Sequence, residues 1–253
     1  MTDATRPCAP GGTDSEGEES RNLLIPTESD LWGGSAPAWM PADDHEPFSP
    51  DQLAAIARYE SDLSIQLVAK PRRFRHSLSV GRTAERLACR YGVDPYLARV
   101  SGILHDWSKG LSNSEVIDHA RDLGIDLGVG YDLVQPLLHG MVAARELPAR
   151  YPELPQAVWQ AIDRHTLGNA DMSPLDMVLF VADGIEPLRG SIPVLDKQRS
   201  HVATSSLADL FWENFADGVA YVVSTRRYLY PGTLGIYNDI VLLRKAGAER
   251  KPA

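Results

Sequence analysis

Three times in this chain a side chain that caps helices stands directly before a proline: Ser49-Pro50, Asp94-Pro95 and Ser173-Pro174. Proline suits the first helical position because its missing N–H would be unpaired there anyway, and the Ser or Asp before it satisfies one of the remaining orphan donors. Gln52, Glu115 and Asp176 stand three residues after Ser49, Ser112 and Ser173, the spacing of a reciprocal capping arrangement. These starts predict helices from Ser49 to about Val68, from Asp94 to near His105, from Ser112 to Gly124, and from Ser173 to a stop at Pro187. Another is expected from about Phe74 to Tyr91, where Val80, Ala84, Leu87 and Ala88 form one stripe and Gly92 ends it. Pro136 and Pro155 are read as opening two more, and two longer helices over about 204–229 and 233–246 close the chain. Neither period-two alternation nor a repeat breaks this pattern. The expected fold class is all-α, a helical bundle in a single folded domain.

Composition divides the chain. Residues 1–48 are rich in Gly, Pro and Ser and hold ten acids against two bases, so they carry −8 of the net −9. Such a segment buries too little apolar surface to offset chain entropy. It is expected to be a disordered acidic extension, with the folded domain at 49–250. The domain itself is near neutral and lacks the basic face that nucleic acid requires. The two cysteines, Cys8 and Cys89, form no CxxC pair, so no disulfide framework is implied. No basic-then-apolar leader and no apolar run near the ~20 residues of a membrane span is found. A cytoplasmic protein free of membrane is the expectation.

Polar residues then occupy apolar stripes. His76 lies one turn before Val80, His105 and Asp106 end the third predicted helix, His139 follows Leu137 and Leu138, His165 extends the stripe of Val158, Ala161 and Ile162, and Asp183 extends that of Val178, Leu179 and Ala182. A single inward histidine is ordinarily a core residue bonded to a carbonyl. Four of them with two aspartates, at inner positions of successive helices, can satisfy one another by converging on metal in a bundle core. Imidazole with carboxylate suits Fe, Mn, Zn or Ni, and the lack of thiolates argues against a structural zinc site. His45 in the extension, His119 among Asp118, Arg121 and Asp122, and His201 in the loop-like KQRSHVATS are not expected to be ligands.

The ordered set His76, His105-Asp106, Asp183 resembles the H…HD…D signature of HD-domain phosphohydrolases. RFRHSLSVGRTAERLA (73–88), GILHDWSK (102–109), LLHGMVAA (137–144), AIDRHTLG (161–168) and MSPLDMVLFVADGIEPLRG (172–190) are similar to the YqeK family, whose members cut diadenosine tetraphosphate symmetrically into two ADP. The resemblance spans roughly residues 60–245. It implies an HD-domain catalytic domain with a two-metal site: His76, His105, Asp106 and Asp183 on the first metal, His139 and His165 on the second, and Asp106 bridging. Iron is the metal it suggests. It also places Lys109 as a catalytic cation beside the HD pair, and Thr166 and Arg189 on the substrate.

These residue types match the chemistry. Water attacks a phosphoric anhydride near neutral pH only when it is activated and the phosphate charge is neutralised, which two metals supply. Lys109 offers a point charge and Arg189 a planar fork for phosphate. The alternatives are a helix-dipole partner for Lys109 and an ion pair with Glu186 for Arg189. The H…HD…D framework also leaves open an HD-type phosphohydrolase acting on another nucleotide, or a non-catalytic nucleotide-binding regulatory module. Complete ligands at all six positions favour an enzyme. A small-molecule nucleotide is the expected partner, with a homodimer allowed.

Overall fold

The computed structural model describes residues 23–249. Eleven helices follow in order: α1 Glu28–Trp32, α2 Pro50–Gln66, α3 Pro71–Tyr91, α4 Pro95–Leu104, α5 Asn113–Asp122, α6 Tyr131–Arg150, α7 Gln156–Arg164, α8 Pro174–Ile185, α9 Pro193–His201, α10 Leu207–Ser224 and α11 Pro231–Glu249. Among the described residues there is no strand. The expected capping pairs are formed at Ser49 with Gln52, Ser112 with Glu115, and Ser173 with Asp176. Asp94 accepts from the Leu97 N–H, and Gly92 ends α3 in the left-handed region at φ 68°. No helix among the described residues is long and apolar enough to cross a membrane.

Two helices depart from the sequence expectation. α6 begins at Tyr131, so Pro136 lies inside it instead of opening it. Pro136 is the sixth residue of α6, so the helix forgoes one internal bond, to the Asp132 carbonyl, and is carried past it by the packing of Val134, Leu138 and Val142. α9 was not expected, and His201 ends it instead of lying in a loop. Its inward residues are Gln198 and Arg199, 2% and 6% exposed, so it shows no apolar stripe. Arg199 instead donates to the carbonyls of Ile185, Glu186 and Gly190.

The extension differs as well. Residues 1–22 lie outside the described residues. Residues 23–48, expected to be unstructured, lie against the domain. Leu31 and Met40 are buried, and the Trp32 indole N–H donates to Ser79 Oγ at 2.9 Å. Arg86 grips both oxygens of Glu28 at 3.0 and 3.2 Å. A few apolar anchors with specific polar contacts suffice here, although the mean composition of the segment is that of a disordered chain.

α3, α4, α7 and α8 form the centre of the core, where Val80, Ile103, Leu104, Ile162, Val178 and Leu179 are all fully buried. α5 and α6 add a smaller cluster around Val116, Ala120, Leu138 and Val142. α3 crosses α4 at Gly81 and Gly102. A Cβ on Gly102 would lie 2.5 Å from Gly81 Cα and 2.7 Å from its N, so backbone meets backbone and no side chain can yield. Gly102→Ala is therefore expected to part the two helices and cost about 1–3 kcal/mol, as overpacking does. Chemical denaturation measures this, and an unchanged midpoint would show that the crossing is not tight.

Candidate metal centre

The six polar residues converge. His76 is in the second turn of α3, His105 caps the end of α4 with Asp106 next to it, His139 is in α6, His165 caps the end of α7, and Asp183 is in the last turn of α8. His76, His105, Asp106, His139 and His165 are all buried. Each imidazole is held from behind. Nδ1 of His105 lies 2.7 Å from the Gly102 carbonyl, that of His139 lies 3.0 Å from Pro136, and that of His165 lies 2.7 Å from Ile162. Each partner is the carbonyl three residues earlier. A carbonyl only accepts, so Nδ1 carries the proton and Nε2 is left with its lone pair facing inward. Gly140 admits the His165 ring, because a Cβ there would meet its Cε1 at 2.7 Å.

His76 uses a carboxylate for the same purpose. Its Nδ1 lies 2.9 Å from Oε1 of Glu186, whose other oxygen accepts from the Leu188 N–H at 2.7 Å. Glu186 is 1% exposed and was expected only as an ion-pair partner for Arg189. Carboxylates behind metal-binding histidines fix the tautomer and raise ligand basicity, and their loss typically costs about 10–100-fold in metal affinity. Glu186→Gln is expected to weaken metal binding in that range, read by competition against a chelator. An unchanged affinity would remove Glu186 from the support of the site.

Inside this shell the inward atoms crowd. His76 Nε2 is 3.0 Å from Asp183 Oδ1, and His105 Nε2 is 3.4 Å from Asp106 Oδ2. The other Asp106 oxygen is 3.1 Å from His139 Nε2. Asp106 thus turns one oxygen towards His76 and His105 and the other towards His139. His139 Nε2 and His165 Nε2 are 3.0 Å apart, and two lone pairs at that distance need a positive charge between them. His76 Nε2 and His105 Nε2 are buried without a hydrogen-bond partner. Orphaned buried nitrogens and an all N/O donor set fit divalent transition metal. Two overlapping triads have one donor atom each within 4.8 Å of the others: His76, His105 and Asp183, and His105, Asp106 and His165.

Protonation follows from the same contacts. Burial, with His139 and His105 adjacent, pushes His165 down to about 3, and burial likewise lowers His139. Burial opposes charge on His76 too, but the carboxylates of Asp183 and Glu186, 3.0 and 2.9 Å from its two nitrogens, outweigh it and raise the ring to about 9. Asp106 and Asp183 stay ionised, because His105 and His139 around the first, and Arg189 and His76 around the second, overcome burial. Metal must displace the His76 proton, so affinity falls as pH falls.

The cations divide. Lys109 follows Asp106 in the short 3-10 turn Trp107–Gly110, and burial lowers its pKa against the pull of Asp106. Arg189 bonds Asp183 through both its carboxylate and its carbonyl, not Glu186. Arg73, which the stripe pattern did not single out, donates to Asp106 Oδ2 at 2.7 Å. Thr166 Oγ1 lies 3.2 Å from His165 Nε2. Trp107 belongs to the core, edge-on to Tyr151. His119 and His201 bond Glu146 and Glu213, away from the centre.

Comparison with known proteins identifies the family. Residues 73–188 match the HD domain model. A symmetrical bis(5'-nucleosyl)-tetraphosphatase of Halalkalibacterium halodurans is 30% identical over 173 residues, which is 68% of this chain and 91% of that protein. The chain belongs to this family of HD-domain hydrolases. A Staphylococcus aureus protein of the same description is 32% identical over 69% of this chain and 82% of its own length. The crystal structure of an HD superfamily hydrolase from Clostridium acetobutylicum, described as involved in NAD metabolism, superposes with a TM-score of 0.65 at 28% identity, covering 78% of this chain and 98% of that one.

Proposed function

We propose that this protein cuts diadenosine tetraphosphate at its central anhydride, giving two ADP, with two divalent transition-metal ions, iron first among them. What supports the reading is the split orientation of Asp106, one oxygen towards each group of histidines. His76, His105, Asp106 and Asp183 would hold the first ion, and His139 and His165 the second, with Asp106 common to both. Ions so held lower the pKa of water towards ~7 and neutralise phosphate charge.

The protein supplies the rest. Beside His76 a cleft of about 770 Å³ is lined by Lys70, Arg72, Arg73, Arg75 and Arg189. Guanidinium forks there can take the phosphates of one half of the substrate. Arg189 also lines a second cleft of about 410 Å³, whose walls include Thr166, Phe180, Tyr221, Tyr228 and Tyr230. Aromatic faces there suit a base. A tetraphosphate running past Arg189 from one cleft to the other brings its middle to the metal centre. Lys109 sits beside Asp106 as the mobile charge for an inner phosphate, and the Thr166 hydroxyl can donate to a phosphate oxygen. Water bonds one inner phosphorus, the central P–O bond breaks, and the departing ADP keeps the electron pair.

Chromatography of the products tests this. Two ADP are expected. ATP with AMP would mean an off-centre register. No cleavage of the tetraphosphate together with rapid hydrolysis of a mononucleotide would leave only a general HD phosphohydrolase. Metal analysis of protein purified without chelator identifies the ions.

A further inference from the structure

A second cluster of metal-ligating side chains lies far from the catalytic centre. Cys89 is in the last turn of α3, thirteen residues and roughly 20 Å along the helix from His76. Opposite it, the segment leading into α2 brings Asp43 and His45, and one donor atom from each of Asp43, His45 and Cys89 lies within 4.8 Å of the others. Tetrahedral zinc with a sulfur at ~2.3 Å and nitrogen or oxygen at ~2.0–2.2 Å holds its ligands about 3.3–3.7 Å apart, so a small closure completes such a site.

The His45 ring is poised for it. Its Nδ1 lies 2.6 Å from the Glu46 carbonyl, which only accepts, so Nδ1 carries the proton. Phe48 stacks on the ring at 4.4 Å and fixes its plane. The Nε2 lone pair then faces Asp43 Oδ1 at 3.1 Å and Glu85 Oε1 at 3.0 Å. A lone pair against two carboxylate oxygens needs a positive charge among them. Arg99 bonds Glu60 and the other oxygen of Glu85, and Arg86 bonds Glu28 and lies 4.0 Å from the other oxygen of Asp43, so neither is spent on the two oxygens that face His45. Arg82 lines the same cleft. A second proton on His45 would satisfy the carboxylates, but it gives no role to the sulfur. The Cys89 thiol makes a weak contact to its own helix, to the Glu85 carbonyl at 3.2 Å, and its sulfur meets the backbone at Asp44. Its thiolate beside these acids needs a cation, and with one it becomes a strong ligand.

We propose that Asp43, His45 and Cys89, with Glu85 Oε1 in reach as the fourth donor, bind a zinc-class divalent ion that clasps the extension to the end of α3. The donor set separates it from the catalytic centre, which has no sulfur. His45, set aside on sequence grounds because it lies in the acidic extension, is its central ligand.

Cobalt(II) gives the test, because a thiolate ligand produces an intense near-ultraviolet charge-transfer band that the N/O centre does not. The parent is the full chain with Cys8→Ser, which removes the one other thiol. After chelation and titration with cobalt(II), the band is expected to saturate by the third equivalent, two ions going to the N/O centre, to vanish in Cys89→Ser, and to be lost or shifted to far higher cobalt in His45→Ala. Cys89→Ser should keep its hydrolase turnover. No band in a folded, cobalt-loaded parent would overturn the proposal and leave His45 as a protonated bridge between two carboxylates. A band that survives His45→Ala at the same affinity would overturn it equally.

Discussion

Replacing Asp106 with alanine is expected to release both metal ions and to lower turnover by about 10³-fold or more. The carboxylate is buried, and its two oxygens address different histidines, 3.4 Å from His105 Nε2 and 3.1 Å from His139 Nε2. Removing it takes the one anion shared by both groups out of a ring of four imidazoles. It also leaves Arg73, which donates to Asp106 at 2.7 Å, facing that ring without its partner. Two metals supply several kcal/mol of transition-state charge stabilisation. A loss of ~4 kcal/mol alone corresponds to about 10³ in rate. Asp106→Asn separates charge from shape: it keeps the size but cannot bridge two cations as an anion, and should retain at most one ion. His165→Ala, by contrast, should weaken chiefly the second ion, since His76, His105 and Asp183 form a triad without it. Metal analysis beside turnover reads all three variants, with circular dichroism to show that the helices persist. Two ions still bound in Asp106→Ala would exclude the bridging role.

Much of this centre is legible because metal ligands on the inner stripe of a helix contradict the hydrophobic pattern around them. His76, His139 and Asp183 each continue an apolar stripe, and the capping residues and prolines fix where those stripes begin and end. The supporting residues leave no such mark. Glu186 follows α8 in a segment that leads into a proline turn, and only the fold carries it 110 residues back to His76. Arg73 is one arginine among several at the start of α3, and its contact with Asp106 depends on how α3 crosses α4. That crossing rests on Gly81 and Gly102, each an unremarked glycine inside a helix until their Cα atoms meet. The extension misled for a different reason. Disorder is argued from mean composition, but burial of Leu31 and Met40 and a hydrogen bond from Trp32 to Ser79 are single events that an average does not register. α9 was missed because its inward face is polar.

Arg99 is expected to carry the largest stability effect outside the metal centre. It lies on α4, 1% exposed, and joins Glu60 of α2 and Glu85 of α3, each at 2.6 Å. One guanidinium thus holds three helices through two buried carboxylates. Desolvating such a group of charges offsets much of its attraction, so the intact triad contributes little net stability. Removing its centre is another matter. Arg99→Met fills most of the volume but leaves Glu60 and Glu85 buried without their cation, and breaking a buried pair costs about 3–5 kcal/mol. The loss has a pH signature. In the variant the two carboxyls gain folded-state pKa values above the ~4.3 of an exposed glutamate, because burial disfavours their charge. A raised folded pKa means the folded state holds protons that the unfolded state releases, so stability returns as pH falls towards ~4.3 and is lost as pH rises. His45, 3.0 Å from Glu85, adds to the recovery when it protonates. Urea denaturation of chelated parent and variant at pH 7 and pH 5 should therefore show a deficit that is large at neutral pH and clearly smaller at pH 5. A deficit of equal size at both would assign the loss to packing around the Arg99 stem, which a Cβ on Gly81 would approach at 3.1 Å, and not to stranded charge.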